Sequence, residues 1–198
     1  MQLHSLVRQA ASRTADVVRG VAPGHLSAPT PCRDWDVRAL AGHLLQVVHA
    51  LGLAGRGQVV PGELWGRDLM SGEWTERFGD EAAAAITAWG DPAAWEGTID
   101  FGGMEMPAPL TATMLTSDLV IHGWDLARAT GQDYRCAGDV AESAYRFIVD
   151  MGEQGRQMGI YASPLPVKDE APALDRALAL SGRDPYWSPP VDHALRTG

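Results

Sequence analysis

The sequence predicts an all-α protein carrying one short β-hairpin, on three observations. Apolar residues recur at helical spacing in several long stretches. Only the segment around Gly102-Gly103 places short apolar runs on both sides of a tight-turn signal. The remainder is punctuated by proline and glycine, above all from Ser163 to Pro190. With 45% hydrophobic and 21% charged residues, the 198-residue chain can bury a sizeable core. Its length suits one domain, read as a core over about 1–156 and a wrapping tail over 157–198.

The first helix spans Leu3 to Val21, with Leu6, Val7, Ala10, Ala11, Val17 and Val18 on its apolar side and Gly20, Pro23 and Gly24 at its end. APTPCRDW then reads as an extended loop, in which Asp34 or Asp36 can cap a second helix from about Asp36 to Ala54. Between Gly55 and Gly79, six glycines, Pro61, Trp65 and Trp74 suit an irregular loop that buries aromatic surface, a candidate lid. A third helix fits Asp80 to Trp89, where EAAAAITAW has strong propensity and Asp91-Pro92 stops it. Thr98, Ile99 and Phe101 before the glycine pair, with Met104 and Met106 after it, form the hairpin. The longest later helix runs from about Pro107 to Thr130 and ends at Gly131. Another fits Ala137 to Gly155, and a short one from Ala171 to Ser181 sits in the tail with Gly182 at its end.

Sixteen basic against twenty-five acidic residues give a formal charge of −9, which disfavours phosphate backbones and anionic lipid. Neither nucleic acid nor a membrane is therefore expected as a partner. Lys168 is the only lysine, and neither GxxxxGKS/T nor GxGxxG occurs, so Schiff-base chemistry and Walker-type phosphate binding lack their residues. Cys32 and Cys136 stand far apart without a CxxC, which excludes a cysteine zinc framework and a thioredoxin motif, and no disulfide between them is expected. The N-terminal run carries charges in its first turns, and no stretch approaches ~18 uninterrupted apolar residues. A cytoplasmic location is the expectation.

On the second helix, Val37, Leu40, Leu44, Val47 and Leu51 form the apolar stripe, with His43 on its flank. His49 falls opposite, where it should meet water. In TATMLTSDLVIHGWDLARAT, Thr111, Asp118, His122, Asp125 and Ala129 share a narrow arc flanked by Met114, Leu115, Ile121 and Leu126. Burying even one unpaired charge costs several kcal/mol, so three ionisable groups on an apolar face call for a partner, a proton or a metal. Asp118 and His122, at i and i+4, project an oxygen and an imidazole to one side. With His43 from a facing helix they would supply the two nitrogens and one carboxylate of a catalytic zinc site, leaving a position open for water or substrate. Nickel and ferrous iron accept the same set. Asp125 then orients an imidazole or accepts a proton. The residues alone leave a second reading open, a core histidine satisfied by an aspartate one turn away.

Trp35, Trp65, Trp74 and Trp124 are candidate pocket walls, against the ordinary reading of tryptophan as core. Arg128, one turn after Trp124, is a candidate for an anionic substrate or cofactor group, against a solvated arginine at a helix C-terminus. Cys32 precedes the second helix within reach of the site and reads as a small buried thiol.

TPCRDWDVRALAGHLLQVV followed by DLVIHGWDLARATGQ resembles the metal-binding domain of the mycothiol-dependent maleylpyruvate isomerases, and more closely their small relatives in the DinB-like superfamily. The likeness extends from the first helix through APALDRALALSGRDP. It implies a four-helix bundle of up-down-down-up type, whose divalent metal is held by a His on the second helix and an acid-x-x-x-His pair on a later one. Those positions are His43, Asp118 and His122. Where the isomerase has Glu, this chain has Asp118, one methylene shorter. The resemblance also implies mycothiol as a thiol cofactor that adds to an activated double bond, lets the intermediate rotate and leaves, hence isomerase or transferase chemistry on a small substrate.

Two other functions stay open: a metal-dependent hydrolase with Asp125 as base, and a non-catalytic metal-binding or interaction protein. The isomerase joins its bundle to a further C-terminal domain, whereas about forty proline-interrupted residues follow Gly155 here. Maleylpyruvate is therefore expected to be handled poorly. The substrate side of the pocket would come from the Gly55 to Gly79 loop, the tail or the second subunit of a homodimer.

Overall fold

The computed structural model describes residues 3–190. Among them lie helices α1 (Leu3–Arg19), α2 (Val37–Gly55), α3 (Trp74–Ala88), α4 (Ala108–Ala129), α5 (Gly138–Gln157) and α6 (Ala173–Leu180), with strands β1 (Thr98–Phe101) and β2 (Met104–Pro107) between α3 and α4. Among the described residues the fold is all-α apart from this two-stranded sheet.

The first four helices form the bundle. Both α1 and α2 pack on α3 and on α4, which sets α1 and α2 on a diagonal. The Thr14 hydroxyl bonds the Leu119 carbonyl and the Gln132 amide bonds that of Val17, so α1 and α4 run the same way. His49 pairs with Glu81, and Gly55 lies against Ala88 and Trp89, so α2 and α3 are also parallel. His4 approaches Gly90, at the far end of α3, which makes α1 and α3 antiparallel. The order is up-down-down-up. Parallel neighbours need a long connection, and residues 56–73 cross the bundle to supply it.

Leucines 40, 44, 45 and 51 of α2 meet Phe78, Leu115, Leu119 and Leu126 in the centre, all essentially without exposure. Each such side chain contributes about 1.5–3 kcal/mol by leaving water. By length and composition α2 could cross a membrane, but most of its surface is buried in the bundle. A second apolar cluster joins Ile121 and Trp124 of α4 to Phe147 and Ile148 of α5 and to Ala177 and Leu178 of α6.

Asp36 is the residue that caps α2, accepting the Ala39 amide at 2.8 Å. The hairpin turns through Gly102 and Gly103 at φ +64° and +90°, the pair of positive angles that its two-residue loop requires. Val60 bonds alongside β1, tying the long crossing to the hairpin.

Two sequence expectations are corrected. The third helix begins at Trp74 rather than Asp80. Gly79 costs about 1 kcal/mol in a helix interior, but burying Phe78 completely outweighs that propensity. His49 is half-buried rather than solvated, because α3 lies along that side of α2 and Glu81 accepts from its ring at 2.9 Å. Both cysteines are free thiols.

Candidate metal centre

The loop before α2 builds one wall of the site. The buried Thr30 hydroxyl reaches the carbonyls of Cys32 and Trp35 at 3.0 and 2.8 Å and accepts the Cys32 amide at 3.1 Å. So tied, Trp35 lies over two imidazoles at once, with ring centroids 4.8 Å from His43 and 5.4 Å from His122. From the crossing segment, a 3-10 turn over Gly62–Gly66 buries Leu64 and sets Trp65 6.1 Å from His43 and 5.7 Å from Phe101 of the hairpin.

Facing helices α2 and α4 bring His43, Asp118 and His122 together. His43 Nε2 lies 3.1 Å from Asp118 Oδ2, and His122 Nε2 lies 3.5 Å from Asp118 Oδ1. The donor atoms of all three residues fall within 4.8 Å of one another. The Asp118 side chain keeps 30% of its exposure and that of His122 only 8%, so the group opens to solvent on the Asp118 side.

Behind His122 stands Asp125, with no exposure at all. His122 Nδ1 is 2.9 Å from Asp125 Oδ2, and the same oxygen accepts Nε and one terminal nitrogen of Arg183, both at 3.3 Å. An oxygen that takes two guanidinium hydrogens is an acceptor, so His122 Nδ1 carries the proton and donates it. The lone pair of His122 Nε2 is thereby directed at Asp118.

Electrostatics sharpens that arrangement. Burial alone would raise the Asp118 carboxyl, but His43, through charge and hydrogen bond, together with His122 and Arg183, brings it down to about 2. Burial lowers His122 below its ordinary value, the Asp125 hydrogen bond working in the opposite sense. With its proton on Nδ1, His122 turns the Nε2 lone pair toward the Asp118 carboxylate, 3.5 Å away. Metal bonds of ~2.0–2.2 Å in a tetrahedral array set donor atoms about 3.3–3.6 Å apart. His43 approaches one Asp118 oxygen at 3.1 Å and His122 the other at 3.5 Å, and with one donor atom from each residue within 4.8 Å of the others the trio could hold such an ion.

The other candidates lie elsewhere. Trp124 packs into the second apolar cluster, and Arg128 bonds the Trp187 carbonyl of the tail. Trp74 stands at the start of α3, packed against the main core. Cys32 does approach, within 4.8 Å of His122 and Asp125 donor atoms, and burial pushes its thiol up to about 11. The residue missing from the sequence reading is Arg183. Its signal was present in the arc of Asp118, His122 and Asp125, whose two acids against one imidazole require a buried cation.

Residues 7–127 match the mycothiol maleylpyruvate isomerase N-terminal domain. The chain belongs to this family. Two uncharacterized proteins, from two strains of Mycobacterium tuberculosis, are each 30% identical to it over 177 residues, covering 85% of this chain and 91% of theirs. Among solved structures, the mycothiol-dependent maleylpyruvate isomerase aligns with a TM-score of 0.57 at 18% identity, over 77% of this chain and 71% of that one. A histidine-to-alanine variant of the isomerase aligns over the same shares with a TM-score of 0.54. At that identity the likeness speaks for the family's helical fold.

Proposed function

We propose that this member of the family holds a divalent metal through His43, Asp118 and His122 and works with mycothiol, or another low-molecular-weight thiol, in an isomerisation or transfer on a small substrate. The observation that carries the reading is the His122 lone pair facing the Asp118 carboxylate at 3.5 Å, with His43 at 3.1 Å from the same carboxylate. Two acceptors turned on each other in a largely buried pocket are balanced by a cation between them. Zinc suits the two-nitrogen, one-carboxylate set best, with nickel and ferrous iron as other acceptable ions.

Once bound, the metal would hold a thiol as thiolate at neutral pH. The residues of the chain do the rest. Asp125 keeps the His122 proton on Nδ1, which leaves Nε2 as a ligand. Trp35 packs over both imidazoles. Trp65 and Phe101 offer an apolar flank beside His43, against which the carbon skeleton of a substrate can lie. Asp125 holds its histidine rather than acting as a base, since it has no exposure through which to meet a substrate. The hydrolase reading, which needs that base, loses its support.

Metal analysis of the purified protein tests the site. His122→Ala should abolish stoichiometric zinc binding while His49→Ala keeps it, and equal metal content in the two variants overturns the assignment. Cobalt substitution tests the thiol. Mycothiol should add a sulfur-to-cobalt charge-transfer band, and no band at saturating thiol overturns that half of the proposal.

A further inference from the structure

Arg183 belongs to the tail, yet its guanidinium reaches the far side of the candidate centre. Its aim is fixed by the way α6 ends. The Arg183 amide bonds the Leu178 carbonyl at 2.9 Å and the Gly182 amide bonds that of Ala179 at 3.0 Å, with Gly182 at φ +84°. This pair of bonds closes the helix in a Schellman turn and projects the next side chain back across α4. Ala177, Leu178, Ala179 and Ser181 beneath the turn have no exposure, so the turn is held by the core. One terminal nitrogen of Arg183 bonds the Ser181 carbonyl at 3.1 Å, while Nε and the other terminal nitrogen grip Asp125 Oδ2.

Asp125 Oδ2 therefore takes three hydrogen bonds, and its Oδ1 has no partner. A carboxylate held by one oxygen only is free to swivel unless that oxygen is pinned. The Arg183 fork pins it, 3.3 Å along each arm. We infer that Arg183 is a positioning residue for the metal centre: through Asp125 it fixes the ring plane and tautomer of His122, so that docking of the tail and binding of the metal are one coupled equilibrium. The inference rests on the metal reading proposed above. It also gives the tail a role beyond covering α5, since the centre is complete only when residues 181–183 are in place.

Position and charge predict opposite signs, which makes the test decisive. If Arg183 acted only as a nearby positive charge, its removal would tighten binding of a cation. If it positions His122, its removal loosens binding, by about 10–100-fold as for other groups that orient metal-bound histidines. Zinc affinity is measured by competition with a chromophoric chelator for wild type, Arg183→Met, Arg183→Lys, Asp125→Asn and the Asp125→Asn/Arg183→Met double variant. Arg183→Met should bind zinc 10–100-fold more weakly, and Arg183→Lys, which keeps the charge but loses the fork, should restore only part of that. In the Asp125→Asn background, Arg183→Met should have no further effect. Unchanged or tighter zinc binding in Arg183→Met, full restoration by lysine, or an equal loss in the Asp125→Asn background overturns the inference. The double variant leaves no buried carboxylate unpaired and so remains measurable if Arg183→Met alone does not fold. A second readout needs no metal. Nitrogen-15 spectra of the histidines should show His122 as the Nδ1–H tautomer in wild type and a gain of the Nε2–H form in Arg183→Met, and an unchanged spectrum overturns the positioning role. Failure of wild type to bind zinc would count against the proposed function, while the spectra would still judge Arg183.

Discussion

Replacing Gly182 by alanine puts the end of α6 to the test. An ideal Cβ at that position stands 2.5 Å from the Cβ of Ala162, and 3.0 and 3.1 Å from that residue's backbone carbon and Cα. Backbone cannot swing aside as a long side chain can. Its φ of +84° adds a second penalty, because the left-handed region costs an L-residue about 1–2 kcal/mol. Pressing an extra methyl into packed surroundings costs about 1–3 kcal/mol more. Gly182→Ala should therefore lose about 2–5 kcal/mol. In a chain of this length each kcal/mol lowers Tm by about 2–4 °C, which makes the fall roughly 4–20 °C. Urea unfolding and calorimetry measure it beside Gly138→Ala, whose added Cβ meets nothing within 4 Å. That control should be neutral or gain up to about 1 kcal/mol. A loss below about 0.5 kcal/mol for Gly182→Ala, the range of ordinary surface changes, refutes the reasoning.

Asp36→Ala removes the cap of α2 and should cost about 1 kcal/mol in the same unfolding experiment, with Asp34→Ala near zero because Asp34 does not cap the helix. Burial pushes Cys136 up to about 12 from an ordinary value near 9, so above pH 9 the folded chain keeps a proton that the unfolded chain releases. Stability should fall as pH rises from 9 toward 12, and Cys136→Ser should flatten that slope; an equally steep fall in the variant refutes the assignment. Maleylpyruvate should be a poor substrate, with kcat/KM below ~10⁴ M⁻¹s⁻¹ in a mycothiol-supplemented steady-state assay. Arg183 is engaged by Asp125 and Arg128 by the Trp187 carbonyl, so neither is free to take the acid groups of that substrate. A value in the ordinary enzyme range of ~10⁴–10⁸ M⁻¹s⁻¹ contradicts this.

The bundle is legible in the sequence wherever local chemistry decides the matter. Asp36 before an apolar stripe, the Gly102-Gly103 turn and Gly182 after α6 each act over a few residues, and each does in the structure what its chemistry dictates. The start of α3 is not legible, because the burial of Phe78 that sustains the helix through Gly79 depends on a distant partner surface. For the candidate centre, the i, i+4 spacing of Asp118 and His122 is enough to set both on one side of α4. The position of His43 against them depends on how α2 faces α4. Three contributions are invisible to helical periodicity: Glu81 beside His49, Trp35 over two rings, and Arg183 behind Asp125. Each joins residues on separate elements, and only the folded chain decides the meeting.

The separation of 58 residues between Asp125 and Arg183 has a consequence for how the protein is made. At translation rates of roughly 5–20 residues per second, the arginine is synthesised about 3–12 s after the aspartate that it must neutralise. Throughout that interval the nascent α4 carries a carboxylate destined for the interior without its counter-ion. Closing the bundle around it early would trap a lone charge in an apolar setting. A half-made chain is thereby discouraged from finishing its core ahead of the segment that carries Arg183, and α6 becomes the helix that permits the final compaction.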